Sequence, residues 1–128
     1  MYLFAGVEKV LQLLKEKGQR IGVISNMDPR LYGILQEAGL QHYFEFILPS
    51  YDAKCSKPHI DIFKCALEKH SKEPTMPNEC CHIGDTLNED YLGAIQAGWN
   101  AILVNPSNSQ DSIKCCKNFE ELRTHLLI

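Results

Sequence analysis

A chain of 128 residues with 45% hydrophobic and 23% charged side chains has the size and mix of one globular domain, able to bury roughly two thirds of its unfolded surface without a disulfide or metal. Thirteen basic against sixteen acidic residues give a formal net charge of -3 with no basic block, which argues against nucleic acid as a required partner. Apolar runs of only a few residues exclude a membrane-spanning helix, and Met1-Tyr2-Leu3-Phe4 lacks the basic start of a signal peptide, so a cytoplasmic location is expected.

Val7, Val10, Leu11 and Leu14 recur at helical spacing, and Gly18 stands where a helix terminates. Ile21-Gly22-Val23-Ile24 is short, apolar and β-branched, a buried strand that ends at Ser25-Asn26. Asp28-Pro29 opens a second helix, with an acceptor for its first turn and a proline whose missing N–H costs nothing there. Leu31, Ile34, Leu35 and Ala38 form its inner face, and Gly39 closes it. Phe46-Ile47-Leu48-Pro49 predicts a second strand. A polar loop then leads to Lys57-Pro58 and a helix with Ile60, Phe63 and Leu67 on one side. Residues 71–79, with Pro74 and Pro77, read as a connector. Cys81-His82-Ile83-Gly84 is a third strand that delivers Asp85, followed by a helix carrying Asp90, Leu92 and Ile95 and stopped by Gly98. Ala101-Ile102-Leu103-Val104 is a fourth strand, cut off by Pro106. After a Ser/Asn loop, Phe119, Leu122 and Leu126 mark a last helix. The alternation predicts one α/β domain over 1–128, a Rossmann-like parallel sheet of about four strands with flanking helices.

Six cysteines fall at Cys55, Cys65, Cys80-Cys81 and Cys115-Cys116, with no C-x-x-C spacing. Adjacent cysteines in a strand face opposite ways, which suits neither a shared metal nor a strain-free bridge. The run Cys80-Cys81-His82 offers two ligands, but no second cluster completes a set. His42, His59, His70 and His125 are scattered and read as surface or core-edge residues.

In an open parallel sheet the ligand lies beyond the carboxyl ends of the strands. The residues leaving those ends are Ser25-Asn26, then Lys57, then Gly84-Asp85 with Asp90. A hydroxyl and nearby amides hold phosphate oxygens, and a lysine offsets phosphoryl charge. Two carboxylates five residues apart across a strand-to-helix turn are hard oxygen ligands of the kind magnesium takes. Each element alone has a bland reading: a turn at Ser25-Asn26, a solvated Lys57, a helix cap at Asp85. Their order and spacing together carry the signal.

That order resembles the haloacid dehalogenase superfamily, chiefly magnesium-dependent phosphohydrolases. Ile21–Asn26 is similar to its second motif, which implies that Ser25, with Asn26, binds phosphate. Lys57-Pro58 is similar to the third, which implies that Lys57 offsets charge at the reacting phosphoryl group. Gly84–Asp90, G-D-T-x-x-x-D, is similar to the fourth, which implies magnesium at Asp85 and Asp90. The stretch Ser25–Leu35, S-N-M-D-P-R-L-Y-G-I-L, further resembles one subgroup of the family. The likeness runs from about Leu3 to Val104 and implies a small phosphorylated substrate.

The family's first motif is missing. None of Asp28, Asp52, Asp61 and Asp111 begins a D-x-D string after an apolar strand, so the nucleophilic aspartate and its acid/base partner are not in this sequence. The chain opens where the family's cap domain would return to the core, and the expectation is a truncated, catalytically incomplete hydrolase with weak magnesium binding. The alternative is a non-catalytic phosphate- and metal-binding or regulatory fragment. A phosphorelay receiver domain has the wrong order, because Lys57-Pro58 precedes Gly84-Asp85. In the family the missing strand is central, which implies that the strands ending at Ser25 and Gly84 flank a gap. Exposed strand edges there are expected to favour pairing with each other or self-association.

Overall fold

The computed structural model describes residues 7–70, 75–104, 115–116 and 119–126. Met1–Phe4, Pro74, Pro106 and the Ser/Asn loop lie outside the described residues. The chain order is α1 (Val7–Glu16), β1 (Gly22–Ser25), α2 (Arg30–Glu37), β2 (Phe46–Pro49), α3 (Ser50–Ala53), α4 (Ile60–His70), β3 (Cys81–Gly84), α5 (Gly93–Gln96), β4 (Asn100–Val104), β5 (Cys115–Cys116) and α6 (Phe119–Leu126). The predicted alternation is present, and every strand pair is parallel. The described helices include none long and apolar enough to cross a membrane.

The strands form two sheets rather than one. In the first, β1 pairs with β2, with Gly22 opposite Phe46 and Ser25 opposite Pro49. In the second the order is β3-β4-β5, with Gly84 opposite Leu103 and Val104 opposite Cys116. Strands β1 and β3 each end their own sheet and do not pair with one another. Strand β5 was not legible in the sequence, because two residues are too short to show a period of two. Its Cys116 is fully buried while Cys115 is half-buried, the alternation a strand imposes on adjacent side chains.

One apolar cluster spans both sheets. It joins Ile24 of β1, Leu48 of β2, Ile62, Phe63 and Ala66 of α4, Ala94 of α5 and Ala101 of β4. Helices α4 and α5 therefore bridge the two sheets by packing. A second cluster gathers Val10 of α1, Ile102 and Val104 of β4, Cys116 and Leu122 of α6. Strand β4 is buried along Ala101–Val104, as a strand covered on both faces by helices must be.

Helix α2 starts as Asp28-Pro29 predicts, one step displaced. The Asp28 carboxylate accepts the Arg30 backbone N–H at 2.9 Å and pairs with the Arg30 guanidinium at 2.9 Å. These bonds hold the Asp28 carboxyl below the usual carboxylate range. The polar loop after β2 contains the single helical turn α3. Between β3 and α5 the chain makes a wide π-helical turn over Leu87–Leu92, with Thr86 O accepting the N–H groups of both Asp90 and Tyr91.

Candidate active site

The site assembles at the carboxyl ends of β1 and β3. Lys57 approaches it from the loop between α3 and α4, and its side chain is only 9% exposed. Its ammonium donates to Asp90 Oδ1. The Asp90 carboxylate is also buried, and nearly every acceptor position on it is taken. His82 Nε2 lies 3.0 Å from Oδ1, and the Thr86 backbone N–H donates to Oδ2 at 3.1 Å. A carboxylate only accepts, so the His82 ring carries its proton on Nε2.

Electrostatics follow from this packing. Burial pushes the Asp90 carboxyl upward, but the hydrogen bond from His82 and the charge of Lys57 outweigh it and hold the group well below the usual carboxylate range. Burial pulls His82 below its ordinary value, against the hydrogen bond to Asp90 that favours protonation. His82 is thus neutral near pH 7, and Lys57 and Asp90 form the charged pair. Phe63 meets the His82 ring edge-on at 5.4 Å and Trp99 at 5.3 Å, fixing the imidazole from its apolar side.

Two glycines make room for the arrangement. A Cβ on Gly84 would overlap the Asp90 carboxyl, so the carboxylate lies directly against the strand backbone. Gly84 and His82 are two apart in β3 and share a face, the one onto which Asp90 folds. A Cβ on Gly93 would sit 3.0 Å from Pro58 Cα and 3.3 Å from Phe63. The small residue lets α5 seat against the Lys57-Pro58 segment.

Ser25 and Asp85 face a different environment. The Ser25 hydroxyl makes no hydrogen bond among the described residues, although its backbone carbonyl accepts the Met27 N–H at 2.8 Å. Asp85 is exposed, and its Oδ1 accepts the Thr86 hydroxyl at 3.2 Å. Asn26 is engaged elsewhere: its Nδ2 donates to the Lys57 carbonyl at 3.0 Å and its Oδ1 accepts the Lys57 N–H at 2.8 Å. An open cleft of about 590 Å³ lies alongside, lined by Asn26, Met27, Arg30, Ser50, Tyr51 and Ser56 among others.

All five residues expected from sequence therefore lie at one end of the strands, but in two groups. Lys57, Asp90 and Asn26 are tied into the protein by their own bonds. Ser25 and Asp85 keep groups available to a ligand. For magnesium, this places Asp85 as the accessible carboxylate, while Asp90 is committed to Lys57, His82 and Thr86. Among the described residues no three His, Cys, Asp or Glu side chains cluster as a metal cage. One open carboxylate suits magnesium only as part of a larger set, since the ion is usually held by one or two carboxylates together with substrate phosphate and waters.

His82 is the residue that sequence reasoning missed. The sequence alone offers it, with its cysteine neighbours, only as part of an incomplete ligand run. The available signal was a polar residue inside an apolar strand, two positions before the glycine on which Asp90 rests.

Residues 1–98 match the model of haloacid dehalogenase-like hydrolases. Rhythmically expressed gene 2 protein of Drosophila melanogaster is 43% identical over 101 residues, covering 77% of this chain and 39% of that protein. Haloacid dehalogenase-like hydrolase domain-containing protein 3 of Mus musculus, the subgroup that Ser25–Leu35 resembles, is 36% identical over 107 residues, 84% of this chain and 41% of that protein. Glyceraldehyde 3-phosphate phosphatase of Methanothermobacter thermautotrophicus is 38% identical over 103 residues, 80% of this chain and 44% of that protein. The crystal structure of a HAD phosphatase from Thermococcus onnurineus superposes with a TM-score of 0.88 at 24% identity, covering 97% of this chain and 58% of that one, a likeness of fold. The chain thus spans roughly two fifths of the length of these curated relatives. Sequence match, fold and the ordered serine, lysine and aspartates lead to one conclusion: the chain belongs to the haloacid dehalogenase-like hydrolases.

Proposed function

We propose that this chain forms the phosphate-binding and charge-offsetting part of a magnesium-dependent phosphohydrolase site and does not turn over phosphate esters by itself. The observation that carries this reading is the buried Lys57–Asp90 pair next to the open groups of Ser25 and Asp85. An ammonium has three donors, so Lys57 bound to Asp90 still has N–H groups to offer a phosphoryl oxygen. Fixed in place, it stabilises charge without reorganising as the charge develops. The Ser25 hydroxyl donates to a second phosphate oxygen. Magnesium held at Asp85, when bound, would neutralise phosphate charge. The cleft beside Asn26 receives the rest of a small phosphorylated molecule, and the relative named as a glyceraldehyde 3-phosphate phosphatase supports a phosphate ester as the substrate class.

The covalent route of this family needs an attacking carboxylate, and no D-x-D string occurs in these residues. Cytoplasm is the proposed compartment, in keeping with six cysteines spaced for neither a disulfide framework nor a metal site. The test uses the full chain in two measurements. Inorganic phosphate, titrated with magnesium present and followed by NMR, is expected to bind weakly, and Ser25→Ala is expected to weaken it about fivefold, the scale of one hydrogen bond to a charged group. An aryl phosphate is expected to show no hydrolysis above buffer. Phosphate affinity equal in Ser25→Ala and parent, or turnover abolished by Lys57→Ala, overturns the proposal.

A further inference from the structure

We infer that Asn26 is a positioning residue that holds Lys57 in place across the site, rather than a group that acts mainly on phosphate. This rests on the proposed role of Lys57 as the cation that faces phosphate.

The side-chain amide of Asn26 meets both backbone polar groups of Lys57. It accepts the Lys57 N–H at 2.8 Å and donates to the Lys57 carbonyl at 3.0 Å. The two residues are 31 apart in sequence. A carboxamide carries an acceptor and a donor on one rigid plane, so this reciprocal pair works as an adjoining strand would, fixing the position and tilt of one peptide unit. Asp and Ser each lack half of it: a carboxylate has no donor, and a hydroxyl is too short to span both groups. The sequence position matters as well. Asn26 directly follows the last residue of β1, so the pair anchors the Lys57 loop to the first sheet.

From that anchor the Lys57 side chain runs to Asp90, which packs on β3 against Gly84 and takes His82 from the same strand. The polar chain Asn26–Lys57–Asp90–His82 therefore begins at the end of β1 and finishes on β3. Those are the two strands that end their sheets without pairing with each other. Lys57 is held at both ends, its peptide by Asn26 and its ammonium by Asp90. Losing the peptide anchor leaves the ammonium on a loop that opens more readily.

The test is differential acylation of lysine amines in the folded full chain, read residue by residue by mass spectrometry. Lys64 and Lys69 are exposed and serve as references, and the fully buried Cys116 thiol reports opening of the core. In the parent protein Lys57 is expected to react about tenfold or more slowly than the references, because its ammonium is enclosed and paired. In Asn26→Ala its rate rises about fivefold, the scale of losing one or two ordinary hydrogen bonds, while Lys64, Lys69 and Cys116 keep theirs. Asn26→Asp, which retains the acceptor for the Lys57 N–H, falls between the two, and Ser25→Ala leaves Lys57 unchanged. An unchanged Lys57 rate in Asn26→Ala overturns the inference. So does exposure of Cys116 in both Asn26 variants, which would make Asn26 a support of the whole fold. The labelling reads where Lys57 is, whether or not phosphate binds. Phosphate affinity equal in Ser25→Ala and parent, with Lys57 still protected, therefore refutes the proposed function alone.

Discussion

Asp90 is the buried charge around which the site is built, and its surroundings predict how the protein responds to acid. Both Asp90 and His82 have folded-state values below their unfolded ones. For His82 the unfolded chain binds the proton that the folded chain refuses. Its contribution to stability is therefore complete above about pH 6.5 and declines as the pH falls below that. Asp90 acts in the same direction lower down, where unfolded carboxylates protonate near pH 4. The midpoint of thermal unfolding should consequently fall between pH 7.5 and pH 5, with a slope of up to about 1.4 kcal/mol per pH unit from His82 alone. His82→Gln keeps a donor for Asp90 and cannot titrate. A melting series in which parent and His82→Gln show equal slopes over that range would contradict the burial assigned to His82.

Among the elements, the segment from β3 to α5 inverts the usual pattern of a helix. Leu92 and Ile95 are exposed while Asp90, Gly93 and Ala94 are buried. The inner face of this segment serves the site, and small residues there let the Lys57-Pro58 segment and the Asp90 carboxyl approach closely. Glycine substitutions separate this from helix propensity. Gly84→Ala must displace the Asp90 carboxyl, and Gly93→Ala must push on Pro58 backbone. Overpacking of this kind costs about 1–3 kcal/mol. Gly33 lies inside α2 with nothing near the position of a new Cβ, so Gly33→Ala should stabilise the protein by about 0.5–1 kcal/mol. Urea denaturation of the three variants checks the order. A stabilised Gly84→Ala would show that Asp90 does not rest against the β3 backbone.

For the whole molecule, the two sheets are joined by helices α4 and α5 and by the Asn26-to-His82 polar chain rather than by one continuous ladder. Among the described strands, β1 pairs with β2 alone and β3 with β4 alone. Strands that end a sheet on the inside of a molecule offer backbone groups to another chain. The expectation of direct pairing between the strands ending at Ser25 and Gly84 is not met among the described strands. We propose that these edges associate, so that this chain should sediment with a concentration-dependent mass and melt below about 60 °C, within the ordinary mesophile range. A sharp transition above that temperature, together with a constant monomer mass at high concentration, would sink this prediction.

Sequence by itself determined the class of fold and which polar residues leave the carboxyl ends of the strands. Short apolar runs such as Ile21–Ile24 and Ala101–Val104 declare strands, although only Ile24 of the first run is buried, and terminators such as Gly18, Gly39 and Gly98 adopt the positive φ that helix ends favour. Parallel order follows from the alternation, and parallel order puts Ser25, Lys57 and Asp85 at one end. These are local properties, carried by a few adjacent residues each. Tertiary structure alone decided how the polar groups divide. Nothing near Asn26 in sequence announces that its amide closes on Lys57, and nothing near Asp90 shows that Lys57, His82 and Thr86 take up its oxygens. The partners are brought together by packing of α4 and α5 across two sheets, and a side chain's partner in such a site depends on which backbone passes beside it.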